Sequence, residues 1–258
     1  MKMAVIGCGL IGGSMALSWK RAGIVDEVIA FGHNPATLQK ALDKGAADTV
    51  TTSMEEAVKD ADIVVSAVPV EAMESVFTEM APFLKSDAVV TDVGSTRQTV
   101  IAAARKGLGD KFHQYAPAHP IAGGEMPGVD YASADLFDEK VVISTPDEGM
   151  DPKVVTFIEE AWRKAGARVQ AMSPLQHDLT FASVSHLPHV LAYALVDMIA
   201  REENAQEKLK MAGAGFRDFT RIASSSPVMW RDICLSNREA LSHELKRYRA
   251  SLDTLQKY

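Results

Sequence analysis

Four groups of residues in this 258-residue sequence have the type and spacing to do chemistry. Near the start, Gly7, Gly9 and Gly12 spell Gly-x-Gly-x-x-Gly directly after the apolar run Ala4-Val5-Ile6. In a strand-to-helix turn the first glycine makes the tight bend, the second lets backbone approach a diphosphate, and the third lets helix pack on strand. Leu10 and Ile11 open the helix, whose unpaired amides and positive dipole end would hold a dinucleotide's pyrophosphate. Three glycines alone also fit a plain turn; the strand before and the helix after favour the nucleotide. In the second half, Ser185-His186-Leu187-Pro188-His189 sets a hydroxyl and two imidazoles around an in-helix proline. Asp178, Ser185 and His189 fall at i, i+7 and i+11 and share a helix face, with His177 pointing away. Pro188 removes one helix bond and leaves a carbonyl near Val184 to bond elsewhere. A lone buried histidine is more often a satisfied structural residue, and that reading stays open here. Further on, Arg217 and Arg221 carry the planar fork suited to carboxylates, and Asp218 with Arg221 is an i,i+3 pair. The bland alternative for that pair is a solvated bridge worth under about 1 kcal/mol. Trp230 lies one turn into a helix begun by Ser226-Pro227, where simple packing would also explain it.

Such groups act only if regular elements hold them. From Lys2 to Met172 strands and helices alternate, which predicts a parallel sheet covered on both faces. The expected strands are Glu27 to Phe31, the apolar run Ile63 to Val68 ended by Pro69, Ala88 to Asp92, Gln114 to Ala118, Lys140 to Ser144 and Arg168 to Met172. Val68 and Pro69, at the end of a central strand, join the expected cofactor-binding set. Ser53 with Glu56 forms a capping box. After Pro174 the sequence reads as helices, the first from Leu175 to about Ala200. The last, roughly Asn237 to Gln256, carries Leu241, Leu245, Tyr248, Leu252 and Leu255 as an apolar stripe that needs a cover. The expected fold is therefore an α/β Rossmann-type nucleotide-binding domain over residues 1–172. An all-α domain for substrate binding and dimerisation follows over residues 173–258, too small to bury that stripe alone.

The end of the second strand should choose the dinucleotide. NAD-selective sites place an Asp or Glu there, against the ribose hydroxyls. Here the chain reads Phe31-Gly32-His33-Asn34. Gly32 removes the carboxylate and its repulsion of a 2′-phosphate, and His33, Asn34 and Thr37 offer donors. No arginine stands in the turn to meet a 2′-phosphate; on the missing acid alone the expectation is NADP, with a loose ribose pocket that also takes NAD as the alternative.

Composition narrows the remaining classes. A hydrophobic share of 47% supports an ordinary core, and a formal charge of −7 argues against nucleic acid as a partner. Charged residues and glycines are read as breaking every apolar run below membrane-spanning length. Strand one begins at once, leaving no room for a signal peptide. Cys8 and Cys234 suit neither a disulfide framework nor a metal site. The expectations are a cytoplasmic chain, no metal and no membrane.

Taken in order, Gly9-Leu10-Ile11-Gly12-Gly13-Ser14, Asp92-Val93-Gly94-Ser95, His119-Pro120-Ile121-Ala122-Gly123, Ser185-His186-Leu187-Pro188-His189, Gly215 to Ala223 and Met229-Trp230 resemble the prephenate dehydrogenases. That family includes the arogenate and cyclohexadienyl dehydrogenases of tyrosine biosynthesis. The resemblance implies oxidative decarboxylation, with hydride passing to NAD(P)+. It implies His119 as the base for the ring hydroxyl, at a strand end where such sheets bind ligands, and Ser95 as the residue orienting it. It implies His189 and Arg221 as substrate-binding residues with Ser185 as their support, and Glu125 with Asp218 and Arg221 as an ion network gating access; Arg217, from its carboxylate-binding fork, and Trp230 complete the expected substrate-binding set. Asp178 would meet the amino group of arogenate or brace its helix. A homodimer through the C-terminal helices is expected. No chorismate mutase or ACT segment is seen, so any feedback would act at or near the active site. Two rivals stay open: another two-domain dehydrogenase, such as a 3-hydroxyacid dehydrogenase, and a dinucleotide-binding sensor without chemistry.

Overall fold

The computed structural model describes every residue except Glu125 and divides into two compact units, Met1–His177 and Asp178–Tyr258. The first is built on eight strands: β1 (Lys2–Ile6), β2 (Glu27–Phe31), β3 (Thr49–Thr51), β4 (Ile63–Ser66), β5 (Val89–Asp92), β6 (Tyr115–Pro120), β7 (Val141–Ser144) and β8 (Arg168–Ala171). They lie in the order β3-β2-β1-β4-β5-β6-β7-β8. The order reverses between β1 and β4, the switch point at which open α/β sheets bind ligands.

Alternation along β1 shows why the sheet is covered on both sides. Met3 and Val5 pack into one apolar cluster with Trp19 and Trp162; Ala4 and Ile6 pack into another with Phe77 and Tyr115. The covering helices are α1 (Leu10–Arg21), α2 (Pro35–Asp43), α3 (Met54–Val58), α4 (Met73–Met80), α5 (Gln98–Leu108) and α6 (Pro152–Lys164). Ser53 caps α3 through a bond from the Glu56 amide, but the expected box is only half formed: the Ser53 amide donates to the Thr51 hydroxyl, which donates in turn to the Glu56 carboxylate.

One expectation needs correcting: the sheet is not wholly parallel. β1 to β6 are parallel, but β7 runs antiparallel to β6, and β8 follows β7. A parallel return needs a crossover, usually a helix. Between β6 and β7 the described residues hold only a short 3₁₀ turn, Val129–Tyr131. The chain therefore comes back antiparallel. The short edge strand β3 was also not expected.

α7 (Pro174–Phe181) crosses the boundary between the units. The expected helix from Leu175 to Ala200 is present and continuous from Pro174, but a π-helical turn, Ala182–His186, shifts its register before α8 (Leu187–Ala200). Pro188 stands in the first turn of α8, where its missing amide costs little. α9 (Ala205–Lys210), α10 (Ala214–Thr220), α11 (Pro227–Ser236) and α12 (Arg238–Leu255) complete the second unit.

The reading that charge interrupts every apolar run also fails. No charged residue stands between Leu179 and Val196. By length and composition, Pro174–Ala200 could cross a membrane, with a mean hydropathy of 1.4 and 22% of that window buried. Along it His177, Asp178, Phe181, His186 and Ala192 are buried, while Val184 and Met198 are exposed.

Candidate active site

The glycine loop meets each demand of its motif. Gly7 has a φ of +93°, and a Cβ there would lie 2.7 Å from the Ala67 carbonyl oxygen. At Gly12 a Cβ would come within 2.5 Å of the Gly7 carbonyl oxygen. Both are glycines for reasons internal to the fold. Gly9 is different, since a Cβ there would meet nothing within 4 Å. No neighbour among the described residues demands a glycine at 9, whereas a group approaching from outside would. Gly9 caps α1, whose first turn holds no acid. The amides of Leu10, Ile11 and Gly12 and the helix dipole therefore suit a diphosphate. Val68 borders the same turn, 3.1 Å from the Cβ position at Gly7, and Pro69 follows it in the chain.

At the end of β2 the Gly32 amide bonds to the Thr51 carbonyl at 3.3 Å. The Asn34 carbonyl oxygen caps α2 by accepting from the Ala36 and Thr37 amides. That atom is thus engaged in holding the helix, which leaves the Asn34 amide nitrogen as its donor. The His33 ring stands edge-on to Phe31 at 5.2 Å.

At the far side of the switch point, Ser95 stands three residues past the end of β5 and His119 lies on β6. Ser95 does not serve as a helix cap: α5 begins at Gln98 with Arg97 in the cap position and no side-chain cap bond. Beneath it, fully buried, the Asp92 carboxylate accepts from both Arg97 terminal nitrogens at 3.1 and 2.6 Å. It also accepts from the Tyr115 hydroxyl at 2.6 Å and the Gly94 amide at 2.7 Å. Burial, then the Asp92 charge, push the Tyr115 phenol upward, so it stays a donor.

His119 is part-buried on β6, and its Nδ1 lies 2.7 Å from Nε2 of His177. His177 is wholly buried at the start of α7. This partner is missing from the sequence-based site. Helix periodicity sets His177 apart from the Ser185–His189 face, and no local pattern links positions 58 residues apart.

In the second unit, Nδ1 of His189 lies 2.9 Å from the Ser185 carbonyl oxygen. A carbonyl only accepts, so Nδ1 carries the proton. Trp230 is buried and stacks on His189, with ring centroids 3.5 Å apart and planes 18° from parallel. Its packing role is thereby visible. The π turn shifts the helical register by roughly 100° per added residue, so the even spacing of Asp178, Ser185 and His189 no longer defines one face. Asp178 is 1% exposed, and its backbone carbonyl accepts from Asn237 at 2.8 Å, which fits the bracing role. Arg217, Asp218 and Arg221 are exposed on and just after α10. Glu125 lies outside the described residues. Among the described residues no cluster of metal-ligating side chains occurs.

A cavity of about 570 Å³ lies beside α5, lined in part by Gln98, Ile101, Arg105, Asp147 and Leu175. It contains neither the glycine loop nor His119. Its Arg105 is paired with Asp147, so it is set aside as the site.

Comparison with known proteins agrees with this architecture. Residues 15–171 match the prephenate dehydrogenase nucleotide-binding domain, and residues 173–258 the prephenate dehydrogenase dimerization domain. The chain is 37% identical over 255 residues to a cyclohexadienyl dehydrogenase of Zymomonas mobilis, spanning 98% of this chain and 86% of that one. The crystal structure of prephenate dehydrogenase from A. aeolicus, in complex with hydroxyphenyl propionate and NAD+, superposes with a TM-score of 0.93. It is 36% identical and covers 100% of this chain and 90% of its own. Synechocystis arogenate dehydrogenase is similar with a TM-score of 0.82 and 28% identity, covering 100% of this chain and 91% of its own. The chain thus belongs to the prephenate dehydrogenase family of oxidoreductases.

Proposed function

We propose that this chain oxidatively decarboxylates prephenate, arogenate or both, yielding 4-hydroxyphenylpyruvate or tyrosine. The observation that carries the assignment of the base is the 2.7 Å bond between His119 and His177. For neutral His119 to take the ring hydroxyl's proton at Nε2, its own proton must sit on Nδ1 and be donated to Nε2 of His177. His177 thus selects the basic tautomer and steadies the ring as charge develops on it. Ser95, half-buried at the end of β5, is assigned to orient the hydroxyl. When bound, the dinucleotide supplies the hydride acceptor, and the glycine loop is assigned to hold its diphosphate. Loss of the ring carboxylate follows from aromatisation. Arg221, Arg217 and His189, with Ser185, are assigned to the substrate's acid groups, where charge-assisted bonds are worth roughly 1.5–3 kcal/mol each. Appearance of reduced-cofactor absorbance when prephenate or arogenate is added tests the whole reading. No signal with either substrate ends it, whereas turnover of a 3-hydroxyacid instead would favour the rival dehydrogenase.

For the cofactor we propose NADP, on the strength of Gly32 standing where NAD-selective sites hold an acid. NAD is the second reading, favoured by the NAD+ held in the A. aeolicus structure. Comparing kcat/KM for the two dinucleotides should show NADP ahead; a strong NAD preference overturns this.

His189 makes binding pH-dependent. Burial lowers its pKa, the Ser185 carbonyl raises it, and the Arg221 charge lowers it further. With Nδ1 given to Ser185, the neutral ring shows only a lone pair at Nε2 and cannot donate to a carboxylate. Gripping the acid group therefore takes up a proton, and this contribution is largest at low pH. Because that pKa lies below the ordinary imidazole value of 6.5, KM for the substrate should already begin to rise below that pH as the imidazolium is lost. The profile for His189→Gln should be flatter; an identical rise in that variant assigns the dependence elsewhere.

A homodimer through the second unit is proposed as well. Leu245, Tyr248, Leu252 and Leu255 on α12 are exposed, as are Val184 and Met198. Burying such a face against another copy removes apolar area worth about 25 cal/mol per Å² from water. Light scattering at low concentration should report twice 27.9 kDa. A compact monomer would refute the dimer. We place the chain in the cytoplasm, with the exposed apolar residues of Pro174–Ala200 assigned to the dimer face.

A further inference from the structure

We infer that the buried Asp92–Arg97 pair is a positioning clamp that holds the Ser95 and His119 backbones in register with one another. The inference rests on the reading above that these two residues act together. The last rung between β5 and β6 pairs Asp92 with Pro117, and proline has no amide hydrogen to continue the ladder. Ser95 and His119 both lie beyond that rung. On its far side His119 stays in the β6–β7 ladder opposite Ile143; toward the Ser95 segment, a set of side-chain bonds ties the two past that rung. The Asp92 carboxylate accepts from the Gly94 amide, one residue before Ser95, at 2.7 Å. The Arg97 guanidinium donates to the Ala118 carbonyl, one residue before His119, at 3.3 Å. Its Nε donates to the Thr96 carbonyl, one residue after Ser95, at 2.9 Å. Asp92 and Arg97 hold each other bidentately, and both are 0% exposed.

The site is built around this pair. A Cβ on Gly94 would lie 2.9 Å from both the guanidinium and the carboxylate, so only glycine fits. Tyr115 supplies a further donor to Asp92. A buried ion pair is poor evidence for stability, since its desolvation cost offsets its attraction and apolar replacements are often neutral. Geometric specificity is what this one supplies: the planar fork of Arg97 fixes two carbonyls and a carboxylate at once.

The test is the double variant Asp92→Asn/Arg97→Gln, which removes both charges together and leaves neither buried alone. The clamp predicts a folded protein that binds dinucleotide within about twofold of the parent, with kcat lower by at least about tenfold. KM for the substrate should move less than kcat. The ¹⁵N imidazole signals of His119 in the resting enzyme should also shift, a readout that needs no turnover. If the double variant does not fold, Arg97→Lys serves. It keeps the charge but not the fork, and should show the same split and the same shift in smaller measure. Unchanged kcat and unchanged imidazole signals in a folded variant would overturn the clamp. So would activity that falls only in proportion to the folded fraction. An inactive parent enzyme, or full activity in His119→Asn, would instead sink the parent reading, and the imidazole signals would still judge the clamp.

Discussion

His119→Asn should lower kcat by about 10²–10⁴, the usual worth of a positioned base, while KM for substrate and cofactor changes little. The asparagine amide occupies the place of Nδ1 and retains a donor toward His177, whereas nothing replaces Nε2. The substitution therefore separates the base from its anchor. The anchor has its own signature. Nε2 of His177 is the acceptor in the proposed bond, and the carbonyl oxygen of a glutamine falls close to that position. His177→Gln should keep most of kcat. His177→Phe fills the buried space but offers no acceptor, and should lose at least about tenfold, near 1.4 kcal/mol of barrier. Steady-state kinetics with both variants decides the matter. A His119→Asn enzyme within a few-fold of the parent removes His119 as the base, and equal activity of the Gln and Phe variants removes His177 as its partner.

Replacing the glycines of the first loop one at a time should split folding from cofactor binding. Gly12→Ala would drive a methyl to 2.5 Å from the Gly7 carbonyl oxygen, which is backbone and cannot swing aside. Overpacking of this kind costs about 1–3 kcal/mol, read as a lower Tm in the absence of cofactor. Gly9→Ala adds a methyl where no described residue has an atom within 4 Å. Its own cost is that of a poorer helix cap, at most about 1 kcal/mol. If the diphosphate lies over Gly9, that methyl takes its place. Dinucleotide affinity should fall at least about tenfold, or 1.4 kcal/mol. Saturating cofactor raises the parent's Tm by mass action, and that rise should largely vanish in Gly9→Ala. Undiminished cofactor stabilisation in Gly9→Ala would mean that the diphosphate does not sit there.

Residue types alone were enough for whatever depends on nearest neighbours in the chain. The strand–glycine–helix turn, the Ser53 and Ser226 caps and the outward apolar stripe of α12 are local patterns, and each is present where sequence places it. Fully buried strands such as β4 read as unbroken apolar runs because both faces are covered. Local rules fail where two equally local outcomes compete. Nothing in the sequence between β6 and β7 states that the chain returns antiparallel, since that depends on the absence of a crossover helix. The run from Leu175 to Ala200 has uninterrupted helical periodicity, yet a single π turn moves His189 relative to Asp178.

Sequence by itself determined the family of chemistry, because a dinucleotide loop, a strand-end histidine and paired arginines are recognisable by type and order. Only the tertiary structure decided what steadies that chemistry. His177 meets His119 across 58 residues, and Arg97 reaches past the end of a strand ladder to the residue before His119. Both are contacts between elements distant in the chain, made just past the end of the β5–β6 ladder. Periodicity reports which way a side chain points on its own element; what it then touches is set by how the strands and helices pack.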